Sequence, residues 1–335
     1  MHYILSRTDN IGDVILTLPM AGLIKSEYPG SKVSFIGRSY TESVVRLSKH
    51  VDHFINWDEI EILPLAEQAE RLKKLNADWI IHVYPNKQIA KAAKKAVIPF
   101  RVGTSHRTYH WFNCNKRISF SRKNSELHEA QLNCKLLEPL SITVPLFKEI
   151  NHFFGYQNSF TPSKETIDLI DNQKINIALH PKSKGSAREW GLENFQELID
   201  ILPKNQYKIF ITGTAEEGEV MRAFLERNRD QVTDTTGRFG LKEFIVFLSL
   251  VDSIVAASTG PLHIASVMDK YAIGIYPPLR PMHPGRWAPI GKNSYVMVKT
   301  GFCNLCRRRG VCTCMKEIQA IDVQKILDQA SKSAK

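Results

Sequence analysis

Three stretches of the sequence hold side chains whose types and spacing suit chemistry on a phosphorylated substrate. The first is His180-Pro181-Lys182-Ser183-Lys184-Gly185-Ser186-Ala187-Arg188-Glu189-Trp190, set between the apolar run 175–179 and a helical pattern. Lys182 and Arg188 offer cations, Ser183 and Ser186 offer hydroxyls, and a loop leaving a parallel strand also presents backbone N–H groups, so a nucleotide diphosphate is the expected ligand. A solvated basic connection is the plainer alternative. The second stretch, Ser258-Thr259-Gly260-Pro261-Leu262-His263, follows the apolar run 253–257. Gly260 lets a phosphate approach the backbone, and Pro261 suits a first helical turn. His263 alone reads equally as a ligand contact or a core histidine. The third stretch, Arg7-Thr8-Asp9-Asn10-Ile11-Gly12-Asp13, places Asp13 where a loop meets a helix. Its carboxylate is either a helix cap or a base, and Gly12 permits a tight turn in both cases.

The elements that must position these residues follow from periodicity. A strand over 2–6, a helix from Asp13 or Val14 to about Glu27 and a strand over 33–37 make a βαβ unit, hence a parallel sheet. Further strand-like runs lie at 54–57 and 79–84. A helix starting near Pro85 carries Lys87, Lys91, Lys94 and Lys95 on one face, either solvated or an acceptor-docking patch. Residues 101–107, with Arg107, read as a short strand and loop, and 108–125 mix Trp111 and Phe112 with basic residues. Periodicity fades over 156–170, the expected linker between a domain of residues 1–155 and one of 171–317. In the second, strands and helices alternate: 175–179, 192–202, 207–212, 216–228, near 232, 241–250, 253–257, 261–268 and 272–276. Such alternation gives an α/β class with two doubly wound parallel sheets and a cleft between them. Glu217 or Glu216, after Thr212-Gly213, accepts from ribose hydroxyls or simply favours the helix N-terminus. A last helix, about 318–333, is expected to cross back over the first domain.

Composition narrows the function. The 335 residues carry 45 Lys+Arg against 34 Asp+Glu, a net charge of +11, which favours an anionic partner. No run approaches the ~20 apolar residues of a membrane helix, and the first residues begin a strand, so a cytoplasmic protein is expected. Of six cysteines, Cys303, Cys306, Cys312 and Cys314 cluster, a density able to hold zinc.

Taken in order, these motifs resemble glycosyltransferase family 9, the bacterial heptosyltransferases of lipopolysaccharide inner-core synthesis. The resemblance spans nearly the whole chain and rests on Arg7 to Val14 with Leu16-Thr17-Leu18-Pro19, on His180 to Trp190, on Thr212-Gly213 with Glu217, on Ser258 to His263, and on Arg286-Trp287 with Pro289. It implies a GT-B fold, with two Rossmann-like domains facing across a cleft, the acceptor on the first and the nucleotide sugar on the second. The catalytic base falls on Asp13. Donor contacts fall on Lys182, Ser183, Arg188, Glu217, Ser258, Thr259, Gly260, Pro261 and His263, and acceptor contacts on Thr8, Asn10, Gly12, Lys87 and Arg107. The sequence departs from the family at Ser258, where an acid is usual, so the sugar is heptose, a different heptose or a hexose.

The implied reaction is an inverting transfer, most simply of heptose from ADP-heptose to an anionic lipid-linked core saccharide, with the enzyme peripheral at the inner face of the inner membrane. No Asp-x-Asp motif occurs, so Arg and Lys take the charge-stabilising part a metal plays elsewhere, and no cofactor is expected. The family's metal-free mechanism also favours packed thiols over zinc in the cysteine cluster. Other readings are the same fold with another nucleotide sugar or a protein acceptor, and a zinc-containing nucleic-acid-binding protein. Against the last, the basic residues are dispersed and no nucleic-acid-binding motif occurs. A Rossmann oxidoreductase lacks its Gly-x-Gly-x-x-Gly.

Overall fold

The computed structural model describes residues 1–122, 125–158, 160–299 and 314–333. The chain divides into two units, Met1–Ser159 and Phe160–Lys335. In the first, β1 (His2–Ser6), β2 (Lys32–Gly37), β3 (His53–Asn56), β4 (Trp79–His82), β5 (Phe100–Thr104) and β6 (Lys116–Ile118) form a parallel sheet in the order β3-β2-β1-β4-β5-β6. In the second, β7 (Ile175–His180), β8 (Tyr207–Ile211), β9 (Val232–Asp234), β10 (Ser253–Ala257), β11 (Tyr271–Tyr276) and β12 (Ser294–Val298) are also parallel, in the order β12-β11-β10-β7-β8-β9. The strand order therefore reverses between β1 and β4 and again between β7 and β10. Crevices at such reversals, outside the carboxyl ends of the strands, are where open α/β sheets bind ligands.

Both reversals are anchored in the same way at the amino ends of the strands. Asp78, just before β4, accepts from the His2 N–H at 2.7 Å, and Asp252, just before β10, accepts from the Asn176 N–H at 2.7 Å. Every residue of β1 and β10 is buried, as expected for central strands covered on both faces. Each fully buried Val, Leu or Ile there contributes about 1.5–3 kcal/mol.

The helices depart from the periodicity in places that have physical causes. The single helix expected up to Glu27 is two, Ile11–Ile15 and Pro19–Glu27, because Pro19 lacks an N–H and its ring opposes the carbonyl of Ile15, so it can only start a new helix. The stretch 216–228 is likewise two helices, Ala215–Val220 and Arg222–Asn228. Within 108–125 lie a helix, Thr108–Asn113, and the edge strand β6. The helix expected from Pro85 is Lys87–Lys95, fixed by Asn86, whose side chain accepts from the N–H groups of Gln88 and Ile89 at 2.9 and 3.1 Å.

The last helix, Ala320–Ser333, belongs to the second unit. Its apolar residues Val323 and Leu327 lie in the core of the second, beside Trp190, Leu198 and Tyr207. Trp190 Nε1 donates to the Ile318 carbonyl at 3.0 Å, and the Tyr207 hydroxyl donates to Asp328 at 2.5 Å. An i, i+4 stripe specifies an apolar face but not the partner that covers it.

Candidate active site

In the first unit the loop after β1 leads to a buried charge cluster centred on Arg7. Its guanidinium donates through Nε and Nη2 to the two oxygens of Asp9 at 2.8 and 3.1 Å, and through Nη2 also to Asp13 Oδ1. Nη1 donates to Asn133 Oδ1 at 3.0 Å and lies 3.5 Å from Glu129 Oε1. Arg122 completes the group, paired with Glu129 and donating to Asn133 Oδ1 at 3.0 Å. Burial disfavours the charge on Arg7, but Asp13, Asp9 and Glu129 outweigh it and hold the guanidinium protonated.

Asp13 stands in the first turn of the helix Ile11–Ile15, while the N-cap position belongs to Asn10, which makes no side-chain cap bond. Of the two roles open to Asp13 in the sequence, capping is thus not the one its carboxylate fills. Burial pushes its carboxyl up to about 6 against the pull of Arg7, with Asp9 and Glu129 adding to the rise. It is a carboxylate at neutral pH, yet basic enough to take a proton. Gly12 has no positive φ and belongs to the helix, so a tight turn is not what it provides.

The other first-unit candidates lie along the same sheet edge. Thr8 is buried and Asn10 exposed in the loop after β1. Lys87 is exposed at the start of the helix after β4 and lines a pocket with Leu63, Leu65, Gln68, Gln88 and Lys91. Arg107 is exposed at the N-cap position of the helix after β5.

In the second unit, the loops after β7 and β10 flank the strand-order reversal. Glu189 organises the first of them, accepting from Lys182 Nζ at 2.6 Å, from the Ser183 N–H at 3.0 Å and from Ser183 Oγ at 3.1 Å. The Ser186 N–H and hydroxyl close the turn onto the Ser183 carbonyl at 2.9 and 2.7 Å, and Lys184 and Gly185 turn the chain at φ 47° and 78°. A Gly tolerates that left-handed region at no cost and a Lys does not, so this is a held loop. Lys184 pairs with Glu216 on the surface. Arg188, partly buried, has no ion pair among the described residues, which leaves it the uncommitted cation of the loop.

His180 ends β7. Thr212 Oγ1 spends its hydrogen on the Leu179 carbonyl at 3.1 Å, so it accepts from His180 Nδ1–H at 2.9 Å. Burial lowers this imidazole to about 4 against Glu217 and Glu189, keeping it neutral. Glu217 is buried in a capping box, its carboxylate accepting from the Thr214 N–H at 2.9 Å while Thr214 Oγ1 accepts from the Glu217 N–H at 3.3 Å. The helix-start role foreseen for it is thus present, with one carboxylate oxygen engaged.

After β10 the helix Gly260–Val267 opens without a side-chain cap, since Thr259 Oγ1 turns back to the Ala257 carbonyl at 3.3 Å. Its first N–H groups and the positive end of its dipole therefore stand at the reversal, uncapped by a side chain. Ser258 opens the loop after β10, and the Tyr276 hydroxyl donates to the Trp287 carbonyl at 2.7 Å. Pro261 sits in the first helical turn, and His263 is buried one residue past Leu262. Of the cysteine cluster only Cys314 is described, and it is buried; Cys303, Cys306 and Cys312 lie outside the described residues. Sequence reasoning gave no site role to Glu189, Glu129 or Asn133 and read Arg122 only with the other basic residues of 108–125, as an anionic-ligand surface or a loop on the domain edge. The sole signal for the first was its place between Arg188 and Trp190.

Comparison with known proteins gives the family and the fold. The sequence profile of glycosyltransferase family 9 (heptosyltransferase) matches residues 66–315. A Haemophilus influenzae protein named only as a glycosyltransferase is 27% identical over 299 residues, 85% of this chain and 84% of that one. Among solved structures, the Escherichia coli ADP-heptose lipopolysaccharide heptosyltransferase II is similar with a TM-score of 0.77 and 14% identity over 98% of each chain. The E. coli heptosyltransferase WaaC with ADP is similar with a TM-score of 0.72 and 16% identity over 98% of this chain and 100% of that one. At these identities the structural likeness is one of fold, and the fold those enzymes have is GT-B.

Proposed function

Because the chain belongs to glycosyltransferase family 9 and is a glycosyltransferase, we propose that it transfers heptose from ADP-heptose to an anionic, lipid-linked saccharide of the lipopolysaccharide core. The acceptor hydroxyl attacks the anomeric carbon, its proton passes to Asp13, and the bond to the diphosphate breaks with its electron pair leaving on ADP. The configuration at carbon inverts. The observation that carries the base assignment is the Asp13 carboxyl, partly buried beside Arg7 at the first sheet's strand-order reversal and pushed up to about 6 by that burial. A base matched to near-neutral pH removes a hydroxyl proton most effectively.

The leaving diphosphate is held by Arg188, by Lys182 and Ser183 in the loop that Glu189 shapes, and by the N–H groups at the start of the helix Gly260–Val267, with Thr259 beside them and Pro261 fixing the turn. These groups supply the positive field that the departing charge requires, so no metal is needed. Glu217 takes the ribose through its second oxygen, and Ser258 and His263 line the sugar side. Thr8, Asn10, Gly12, Lys87 and Arg107 hold the acceptor. ADP as the carrier is supported by the similar E. coli enzymes, one an ADP-heptose heptosyltransferase and one solved with ADP. A lipid-linked acceptor also places the enzyme at a membrane surface, although no helix among the described residues is long and apolar enough to cross a membrane.

Measuring nucleoside diphosphate release from ADP-heptose, ADP-hexose, UDP- and GDP-sugars in the presence of extracted core acceptor, with a chelator, tests this directly. Turnover with ADP-heptose alone supports it. Preference for an ADP-hexose assigns the Ser258 position to a different sugar, and turnover only with UDP- or GDP-sugars overturns the donor assignment.

A further inference from the structure

We infer that Glu129 and Arg122 are positioning residues that set the proton affinity of Asp13, Glu129 by drawing on the charge of Arg7 and Arg122 by neutralising Glu129. The inference rests on Asp13 being the base. Its physical content is a charge count and a set of shared contacts. Among the described residues, two guanidiniums, Arg7 and Arg122, serve three carboxylates, Asp9, Asp13 and Glu129. With Asp13 ionised the buried group carries one excess negative charge, and with Asp13 protonated it is neutral. Glu129, 1% exposed, cannot be screened by water, so its charge acts at nearly full strength on Arg7. Glu129 faces Arg7 Nη1 while Asp13 accepts from Nη2, so the two carboxylates draw on one positive charge through different nitrogens.

Asn133 makes this coupling geometric. Its Oδ1 accepts from both guanidiniums, at 3.0 Å each, while its Nδ2 donates to the Leu16 carbonyl at 3.0 Å just past the helix that carries Asp13. Thr17 Oγ1, 3.3 Å from the same Nδ2, donates to the Asp13 carbonyl at 2.9 Å. The arginines, the amide and the base are thus held on one frame. Among the described residues the other charged group acting on Asp13 is Asp9, whose carboxylate also raises it. From its own loop it meets Asp9 and Asn10, and Asp9 is held by two bonds from Arg7. Tyr40 faces this cluster as a neutral phenol whose hydroxyl donates to the Asp9 carbonyl at 2.6 Å. Glu42, in the helix Glu42–Val45 packed on Ile11–Ile15, is paired with Arg46, and Arg38 is paired with Asp58 and Glu61.

The two positioning residues should therefore move the base in opposite directions. Glu129→Gln removes a negative charge and releases Arg7 to Asp13, so the acid limb of the kcat/KM–pH profile should fall by on the order of one pH unit. Arg122→Gln leaves Glu129 to draw harder on Arg7, so the same limb should rise. Residues that merely support the fold would lower activity in both variants without opposite displacements. The profile is measured from pH 4.5 to 9 on the full chain, with the melting temperature of each variant and Asp13→Asn run alongside. Opposite displacements support the inference. Displacements in one direction, or none, overturn it while an inactive Asp13→Asn leaves the base assignment standing. An active Asp13→Asn removes the base itself. If Glu129→Gln does not fold, the rise expected for Arg122→Gln, a partly exposed residue, decides alone.

Discussion

Arg188→Ala should weaken donor binding more than any other single change in the loop after β7. The loop holds three cations, and two are already committed: Lys182 to Glu189 at 2.6 Å, and Lys184 to Glu216 at 3.2 Å on the surface. A diphosphate reaching Lys182 must share it with Glu189, whereas Arg188 brings a whole charge and a planar pair of donors. Losing one charge-assisted contact costs about 1.5–3 kcal/mol, which is a rise of about 10- to 150-fold in Kd for ADP. Lys184→Ala, removing a largely exposed pair, should change Kd by less than about threefold. Calorimetric titration of ADP into each variant at fixed salt, with a chelator present, gives both numbers. An unchanged Kd for Arg188→Ala, or a larger effect at Lys184, would refute the assignment of the uncommitted cation to the diphosphate.

Further outcomes follow from the same geometry. ADP should raise the melting temperature without added metal, by the equivalent of about 2.7 kcal/mol at a hundredfold excess over Kd, and the shift should survive a chelator; stabilisation by UDP alone contradicts the donor assignment. Leu327→Ala, at a fully buried position, should cost about 2–5 kcal/mol in denaturant unfolding, whereas a change near zero would mean that the last helix is not part of the second unit's core. Wild-type kcat/KM should climb with pH through about 6, because only the deprotonated Asp13, whose carboxyl burial has raised, can accept the proton. A profile flat from pH 5 to 8 argues against that role.

Much of this arrangement was legible from residues that act locally. Strand-loop-helix alternation located the loops after β1, β7 and β10, and their residue types made them the expected anion site, because a loop's backbone and polar groups are set by its own few residues. Arg188, Thr259 and Gly260 fell where periodicity had put them. What escaped depends on distant partners. Glu129 meets Arg7 across 122 residues, and nothing in His128-Glu129 beyond a helix start hints at it. Glu189 looked like one acid in a basic loop until its bonds to Lys182 and Ser183 made it the loop's organiser. The edge strand β6 is short and basic and lacks the apolar run that marks a central strand, whereas β12 has such a run but is only partly buried. The last helix carried a readable stripe with no indication of which core would take it.

The most direct test of the account is turnover of Asp13→Asn, measured with ADP-heptose and core acceptor beside donor affinity and melting temperature. Asn keeps the size and much of the hydrogen bonding but cannot accept a proton at neutral pH. The account predicts turnover lower by about 10²–10⁴-fold, with donor Kd near wild type, since general-base catalysis contributes that much to rate and nothing to donor binding. An Asp13→Asn enzyme that turns over at the wild-type rate would contradict it.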